Sequence, residues 1–305
     1  MLKGLAITPP IIGRISIGRV VERNGKRLPE KDDQFTLTTQ VQQRGEWTLH
    51  PLNESLRKAT PGKLRSIPVR MLFNEPDLNL RAEYTLFDRD TGRPVCVGNG
   101  ERCKRVEQDG IAILPCPSPD GCQFGGPGGC KPYGRLNAIV GDDDEMGSFI
   151  FRTTSFNSIR TLAARLHYFS AVSGNLLACL ALELKLRGKS TTQSYRSAIY
   201  YVDLSVRAGM TLEATITEAR ELGARRKASG FDQVALDAAA KVGFANGAFE
   251  DSPDEAAAVA EEFYPESASS SETESDNAGA TGEPKPPSLR DKLDRKAALL
   301  GGTAA

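Results

Sequence analysis

Histidine is almost absent from this sequence, since His50 and His167 are the only two in 305 residues. This scarcity excludes an active site built on several imidazoles, the side chains that titrate nearest neutral pH. Long apolar runs are absent too, and none approaches the roughly 20 residues that a membrane-spanning helix needs. The first ten residues lack the apolar stretch and the small-residue cleavage site of an export signal. We therefore expect a cytoplasmic protein that does not contact a membrane.

The formal net charge is zero, but the charges are unevenly distributed along the chain. Residues 1–208 contain 29 Lys and Arg and 21 Asp and Glu, a balance of +8. Residues 209–305 contain 10 and 18, a balance of −8. A basic front and an acidic rear predict a body that binds polyanions and a solvated tail that competes for the same surface.

Alternation of apolar and polar residues predicts strands through the first 207 residues, and helical spacing predicts one strong helix between Ser155 and Gly174. We therefore predict an α+β fold, with an antiparallel-strand-rich core domain over residues 1–207 that has one main helix. The predicted strands cover residues 11–21, 35–41, 67–73, 82–87, 136–140, 148–152, 180–186 and 199–206.

Beyond this domain, the chain consists of three segments that differ in composition. Residues 208–249 contain Ala-rich stretches that predict a short helical segment. Residues 250–287 are predicted to be a disordered acidic linker, because residues 250–283 carry eleven acids and no Lys or Arg. Residues 288–305 open with a capping-box-like Ser-x-x-Asp and predict a short amphipathic helix that could dock on a partner.

A cysteine-rich insert over residues 95–131 interrupts the core domain. Four thiolates in a Gly- and Pro-rich stretch suit tetrahedral zinc, which would replace a missing apolar core, and four protein ligands leave no position for a reactive water. We therefore predict a structural zinc site. Unligated thiols and an iron–sulfur cluster are the alternatives. The predicted ligands are Cys103, Cys116, Cys122 and Cys130, with Cys96 as a substitute for Cys103, and Cys179 is predicted to be a core residue on an apolar strand.

Basic side chains on predicted strands, with aromatic residues among them, are typical of single-strand nucleic-acid binding. Solvated basic strand faces are also common in proteins that bind no nucleic acid, so this alternative stays open. The candidate nucleic-acid-binding residues are Arg14, Arg19, Lys26, Arg27, Arg65, Arg70, Lys185, Arg187, Lys189 and Arg196, with Trp47, Tyr195, Tyr200 and Tyr201 available for stacking.

Catalytic chemistry has little support in the sequence. The acidic run Asp142–Glu145 could hold magnesium, although acids between two strands more often form a solvated turn. The glycines of residues 125–129 lack the Lys-Ser/Thr ending of a phosphate-binding loop. We predict no catalytic residues and expect a protein that is not an enzyme.

Several short motifs resemble the recombination directionality factor-like family of phages and integrative mobile elements. The opening Gly13-Arg-Ile-Ser-Ile-Gly strand, the Lys/Pro-rich turn at residues 25–33 and the Phe35-Thr-Leu-Thr strand are similar to those of the family. The cysteine insert and the Phe151-Arg-Thr-Thr-Ser segment with its helix are similar as well, so the resemblance covers residues 8–207. It implies an accessory protein whose namesake activity turns a large serine integrase from integration to excision, and it names no catalytic residues.

Three functions follow from these observations. The first is a non-enzymatic, zinc-stabilised factor of mobile-element DNA metabolism that binds DNA, a recombinase, or both, and so regulates recombination or assists replication. The second is a regulator of a serine integrase that acts through protein contacts without binding DNA. The third is a metal-dependent hydrolase or nuclease that uses residues 142–145.

The first function, with a competing tail, makes a direct prediction. Deletion of residues 250–305 removes acids that compete with nucleic acid, so the shortened chain should bind oligonucleotides more tightly at low salt. Fluorescence anisotropy with matched single- and double-stranded oligonucleotides measures this. An unchanged affinity would exclude the competition.

Overall fold

The computed structural model describes residues 10–23, 26–43, 46–126, 129–142, 147–190, 198–244 and Val259, with backbone only for the strand residues between 19 and 32. All of these lie in one compact unit, Met1–Glu266, while a second unit, Ser267–Ala305, lies outside the described residues. The predicted acidic linker and C-terminal helix therefore fall outside the described part of the chain, Val259 excepted.

The described residues form twelve strands, six helices and one 3-10 turn. The strands are β1 (Ile11–Arg23), β2 (Lys26–Gln43), β3 (Glu46–Leu49), β4 (Ser66–Arg70), β5 (Leu80–Phe87), β6 (Pro94–Gly98), β7 (Arg102–Glu107), β8 (Gly110–Pro115), β9 (Lys131–Val140), β10 (Ser148–Thr153), β11 (Leu182–Ser190) and β12 (Ala198–Val206). The helices are α1 (Pro51–Ala59), α2 (Pro76–Asn79), α3 (Ser118–Gly121), α4 (Phe156–Ser173), α5 (Leu212–Ala228) and α6 (Gln233–Phe244), and the 3-10 turn is Leu177–Cys179.

Two sheets share strand β9. The larger has the order β3-β2-β1-β10-β9-β5-β6-β7-β8, and the smaller joins β9 to β4, β11 and β12. The smaller sheet attaches at the end of β9, where Val69 of β4 pairs with Val140. Strands β1 and β10 run parallel, so the sheet is mixed, whereas the other pairs are antiparallel. The fold is thus α+β with a large mixed sheet.

The main apolar core lies between the two sheets and α4. Leu162 and Leu166 of α4 are fully buried in it, together with Phe35 of β2 and Leu182 of β11. Ser158 near the start of α4 accepts a hydrogen bond from the backbone N–H of Val202 in β12 at 3.1 Å. Leu162 and Leu166 are four residues apart, so they lie on the same face of α4, and this face is the buried one.

Both predicted ends of the main helix are confirmed. The Ser155 side chain accepts from the backbone N–H of Ser158 at the N-terminus, and Gly174 ends the helix with φ of +67°. A left-handed residue at this position favours glycine because a Cβ atom would be strained there. Helices α5 and α6 both lie within residues 208–249, the stretch for which the sequence predicted a short helical segment.

The cysteine-rich insert contains more regular structure than the sequence predicted. Strands β6, β7 and β8 form an antiparallel meander that extends the large sheet, and β8 is its last strand. The prediction that Cys179 lies on a strand was wrong, because it lies in the 3-10 turn. Its prediction as a buried residue is confirmed.

Val259 belongs to the segment that was predicted to be a disordered linker, yet it is fully buried. It packs in a small apolar cluster with Phe87 of β5 and Tyr133 of β9, whose rings meet edge to face at 5.2 Å. A truncation before Val259 therefore uncovers these two aromatic rings. A truncation after residue 266 leaves the cluster intact and is the better matched test of the tail.

Candidate functional site

Three of the five cysteines of the insert lie on one face of the β6–β8 meander. Cys96 of β6 pairs with Arg105 of β7, and Gly98 pairs with Cys103. Cys103 pairs in turn with Leu114 of β8, two residues before Cys116. Because side chains two residues apart share a face of a strand, Cys96, Cys103 and Cys116 point to the same side.

Gly98 lies at the centre of this face because no larger residue fits there. A Cβ atom at position 98 would lie 2.7 Å from the Cβ of Cys103 and 2.9 Å from the sulfur of Cys116. The glycine therefore lets two cysteines approach the backbone of β6. At the other side of the insert, a Cβ at Gly125 would lie 2.8 Å from the Cβ of Cys130.

The five thiols are close enough to affect each other's protonation. Burial, followed by a hydrogen bond with Cys96 and the charges of neighbouring thiols, raises the pKa of Cys103 to about 11. Burial, followed by the charges of Cys122, Cys96, Cys116 and Cys103 in decreasing order, raises the pKa of Cys130 to about 12. A pKa raised by neighbouring thiols means that several thiolates cannot coexist here without a compensating positive charge.

Arg105 is a cation that lies beside this cluster. Its guanidinium stacks on the Phe124 ring at 4.0 Å and hydrogen-bonds to Cys96, and the charges of Cys96, Cys103 and Cys122 all favour its charged form. Arg105 is not recognisable from the sequence alone, because only the strand pairing places it opposite Cys96. In the described part of the chain, no three His, Cys, Asp or Glu side chains already meet as a metal-binding group.

Those predicted nucleic-acid-binding residues whose side chains the structure describes contact other groups of the same protein. Arg14 is buried, and its guanidinium lies 4.0 Å above the Trp47 ring. Arg65 and Lys63 both bind the carboxylate of Asp33. Hydrogen bonds from Lys63 and Arg65 lower the pKa of Asp33 to about 2. These cations are therefore committed to contacts within the protein.

The late hairpin repeats this pattern. Lys185 forms an ion pair with Glu183, and Arg187 forms one with Asp203 at 2.5 Å, while Arg165 of α4 reaches the same Asp203 at 3.1 Å. Glu183 and Asp203 are both buried. The basic residues of β11 thus compensate buried acids of their own hairpin.

Lys189 and the turn carry the remaining predicted residues of that hairpin. Lys189 donates to the side-chain oxygen of Asn157 at 2.8 Å and lies 5.7 Å from the Tyr201 ring. Arg196 and Tyr195 lie outside the described residues. Lys189 with Tyr201, like Arg14 with Trp47, is thus a described pair that matches the predicted combination of a cation with a stacking ring.

Three further predicted cations lie on a long two-stranded ribbon. In the described strands, residues 19–23 of β1 pair with residues 26–30 of β2, whereas the pairing of β1 with β10 involves only residues 11–15 of β1. Arg19, Lys26 and Arg27 belong to this ribbon. A two-stranded ribbon with basic residues has the dimensions of an element that enters the major groove of DNA.

Arg70 does not lie on an open surface either. Its guanidinium binds Asp142 at 3.0 Å, Glu218 at 2.8 Å and the backbone oxygen of Cys179 at 2.7 Å. Asp142, the first acid of the predicted magnesium run, also binds Arg207 at 2.6 Å. Two guanidinium groups already compensate this carboxylate, which disfavours magnesium binding, and residues 143–145 lie outside the described part of the chain.

Three arginines that the sequence analysis did not select form a row across neighbouring strands. Arg135 of β9 pairs in register with Arg81 of β5 and with Arg152 of β10. Glu83 binds Arg135 at 3.0 Å, and Arg135 also lies 5.4 Å from the Tyr133 ring beside Val259. No signal in a single sequence reveals this row, because it depends on the register of three strands.

The most exposed apolar surface of the insert lies on the hairpin β7–β8. We call Val106, Ile111 and Ile113 the hairpin face. They are 46%, 58% and 70% exposed. Val106 pairs with Ile111, and all three lie on the side opposite Cys103. A recognisable signal was present in the sequence, since Asp109-Gly110 between alternating residues is typical of a hairpin turn.

Comparison with known proteins identifies the family of this chain. A family model of recombination directionality factor-like proteins matches residues 12–207, which is more than half of the chain. The chain therefore belongs to the Gp3-like family. No curated protein and no solved structure matches it. In the described residues, no helix is long and apolar enough to cross a membrane.

The ion pairs of Asp142 predict a pH-dependent stability. Hydrogen bonds from Arg207 and Arg70 lower the pKa of Asp142 although burial opposes them. A lowered pKa in the folded chain means that the contribution is present above the ordinary value of 3.8 and is lost as the pH falls below it. Asp142→Asn should reduce the free energy of unfolding at neutral pH by about 1 kcal/mol or less, since the carboxylate is half exposed.

Urea unfolding between about pH 6 and about pH 3 measures this difference, which should shrink at the acidic end. Asp90→Asn, at an exposed turn position, is the control and should leave stability unchanged. A difference between Asp142→Asn and the original chain that does not vary with pH would show that the ion pairs are not its source.

Proposed function

We propose that this chain is a non-catalytic regulator of recombination in a phage or related mobile element, and that it acts by binding a recombinase such as a serine integrase. Membership of the recombination directionality factor-like family supports the general role. The choice of a protein as the principal partner rests on one observation, the internal compensation of the described basic residues.

The compensation of these basic residues by acids of the same chain makes a protein a better candidate partner than DNA, for an electrostatic reason. Binding of DNA phosphates requires cations that are available to release counterions from the DNA. Among the predicted residues, Arg65, Arg70, Lys185 and Arg187 each hold an acidic side chain of the same chain. At each of these positions, a phosphate would have to displace a carboxylate. The buried carboxylates among them would then lack a partner.

The hairpin face provides a surface of the kind that protein partners use. Ile111 and Ile113 lie on β8, the last strand of the large sheet, so an apolar face and a sheet edge coincide. Exposed edge strands pair readily with other chains unless charges or proline protect them. An extended segment of a recombinase could add to β8 while its side chains cover the hairpin face.

A double substitution tests this surface. Ile111→Lys with Ile113→Lys places two charges on the hairpin face and should weaken binding to the serine integrase of the same mobile element by more than about tenfold. Both positions are exposed, so the stability of the chain should change by less than about 0.5 kcal/mol. Surface plasmon resonance with purified integrase measures the affinity, and an excision assay measures the consequence.

The matched control is Val234→Lys with Val242→Lys, which changes two equally exposed apolar residues of α6. It should leave integrase binding intact. If both double variants bind like the original chain, the hairpin face is not the contact. If the original chain binds no integrase and does not affect excision, the proposed function itself fails.

A second function, direct contact with DNA, is favoured by the β1–β2 ribbon. Replacement of Arg19, Lys26 and Arg27 by Gln should weaken binding to double-stranded oligonucleotides and reduce the salt dependence, by about 0.9 in log–log slope for each lost phosphate contact. Fluorescence anisotropy over a salt series measures the slope. The control replaces three exposed cations elsewhere, Lys58, Arg89 and Arg93, by Gln. Equal slopes for the two triple variants would exclude the ribbon as the DNA contact.

A further inference from the structure

The cysteine cluster of the insert carries an inference that does not depend on the proposed function. We propose that it forms a structural zinc site whose four ligands are Cys96, Cys116, Cys122 and Cys130. The sequence alone favoured Cys103 over Cys96 as the first ligand. The strand pairing and the contacts of the two thiols favour the opposite choice.

The topology brings the four ligands to one place from separate elements. Cys96 lies on β6 and Cys116 directly follows β8, on the same face of the meander. Cys122 follows the short helix α3, and Cys130 immediately precedes β9. A single metal ion would therefore join the meander, α3 and the start of β9.

The choice between Cys96 and Cys103 rests on their contacts. The Cys103 sulfur already donates to the backbone oxygen of Pro115 at 3.7 Å. Cys96 lies opposite Arg105, whose guanidinium lies 4.0 Å above the ring of Phe124 in the loop between Cys122 and Cys130. The strand pairing therefore brings this loop to the Cys96 end of the cysteine-bearing face.

The insert also needs a source of stability other than an apolar core. In the described part of the chain, residues 94–126 and 129–130 contribute nothing to the clusters of buried apolar side chains. Bonds between zinc and thiolates supply such stability in small structures that lack a core. On binding, each ligand thiol loses its proton to solvent, so zinc binding releases one proton for each cysteine that ligates it.

Arg105 fits the charge of this site. A zinc ion with four thiolates carries a net charge of about −2, which a neighbouring cation partly compensates. The Nε of Arg105 is buried and has no hydrogen-bond acceptor among the described residues. A thiolate sulfur of the site would provide an acceptor for this guanidinium.

Metal content of the full chain, purified without chelators, tests the proposal. Mass spectrometry of the metal should find about one zinc per chain, and added Co²⁺ should give the absorption of tetrahedral thiolate coordination. Single Ser substitutions of Cys96, Cys116, Cys122 or Cys130 should each abolish this spectrum. Cys103→Ser and Cys179→Ser are matched controls and should keep both the zinc and the spectrum.

Hydrogen exchange separates loss of metal from loss of the fold. Because the described thiols do not yet meet at ligand distances, zinc should increase protection across residues 94–130 and leave β11 and β12 unchanged. A folded chain that binds neither zinc nor Co²⁺ would overturn the site, as would purified protein containing iron with cluster absorption. Retention of metal by Cys96→Ser together with its loss in Cys103→Ser would overturn the assigned ligands.

Discussion

Strand β9 is the element on which the whole architecture depends, because it hydrogen-bonds to β5, β10 and β4. Eight consecutive residues, from Tyr133 to Val140, are buried. Its first residues follow Cys130, and its last residues join the smaller sheet. The insert and the main core are therefore joined by one continuous backbone segment, which is buried from Tyr133 to Val140.

The second general feature is the internal use of charge. Buried carboxylates such as Asp33, Glu183 and Asp203 are compensated by cations of the same chain. The pair of Asp203 with Arg187 joins β12 to β11 and favours one register, because an acid displaced by one residue would lose its partner in a poorly solvated place. Part of the basic front of the chain, including Arg65, Lys185 and Arg187, thus compensates acids of the fold itself.

The sequence predicted local structure well wherever a pattern is set by burial on one face. Residues Leu162 and Leu166 mark the buried side of α4, and Ser155 and Gly174 mark its ends. The insert was predicted less well, because Cys, Arg and Gly alternate there with few large apolar residues. Side chains in these strands do alternate between two faces. However, one face carries the thiols and the other faces solvent, so the alternation does not mark a face that packs on an apolar core.

Long-range pairing could not be predicted at all. The row formed by Arg81, Arg135 and Arg152 and the position of Arg105 opposite Cys96 depend on register between distant segments, and a single sequence contains no record of it. The same limit applies to the ion pairs of Arg70, whose partners lie far along the chain. Whether residues that are separated in sequence form a site therefore depends on the fold, which determines their neighbours.

The burial of Val259 has a consequence for the reach of the acidic segment. An extended chain advances at most about 3.5 Å per residue, so acids close to Val259 in sequence remain within a short radius of Tyr133 and Arg135. A tethered group of this kind has an effective local concentration far above that of a separate molecule. Val259 thus fixes one point of the chain beside β5 and β9, and the number of residues from that point sets an upper limit on the distance of any acid from it.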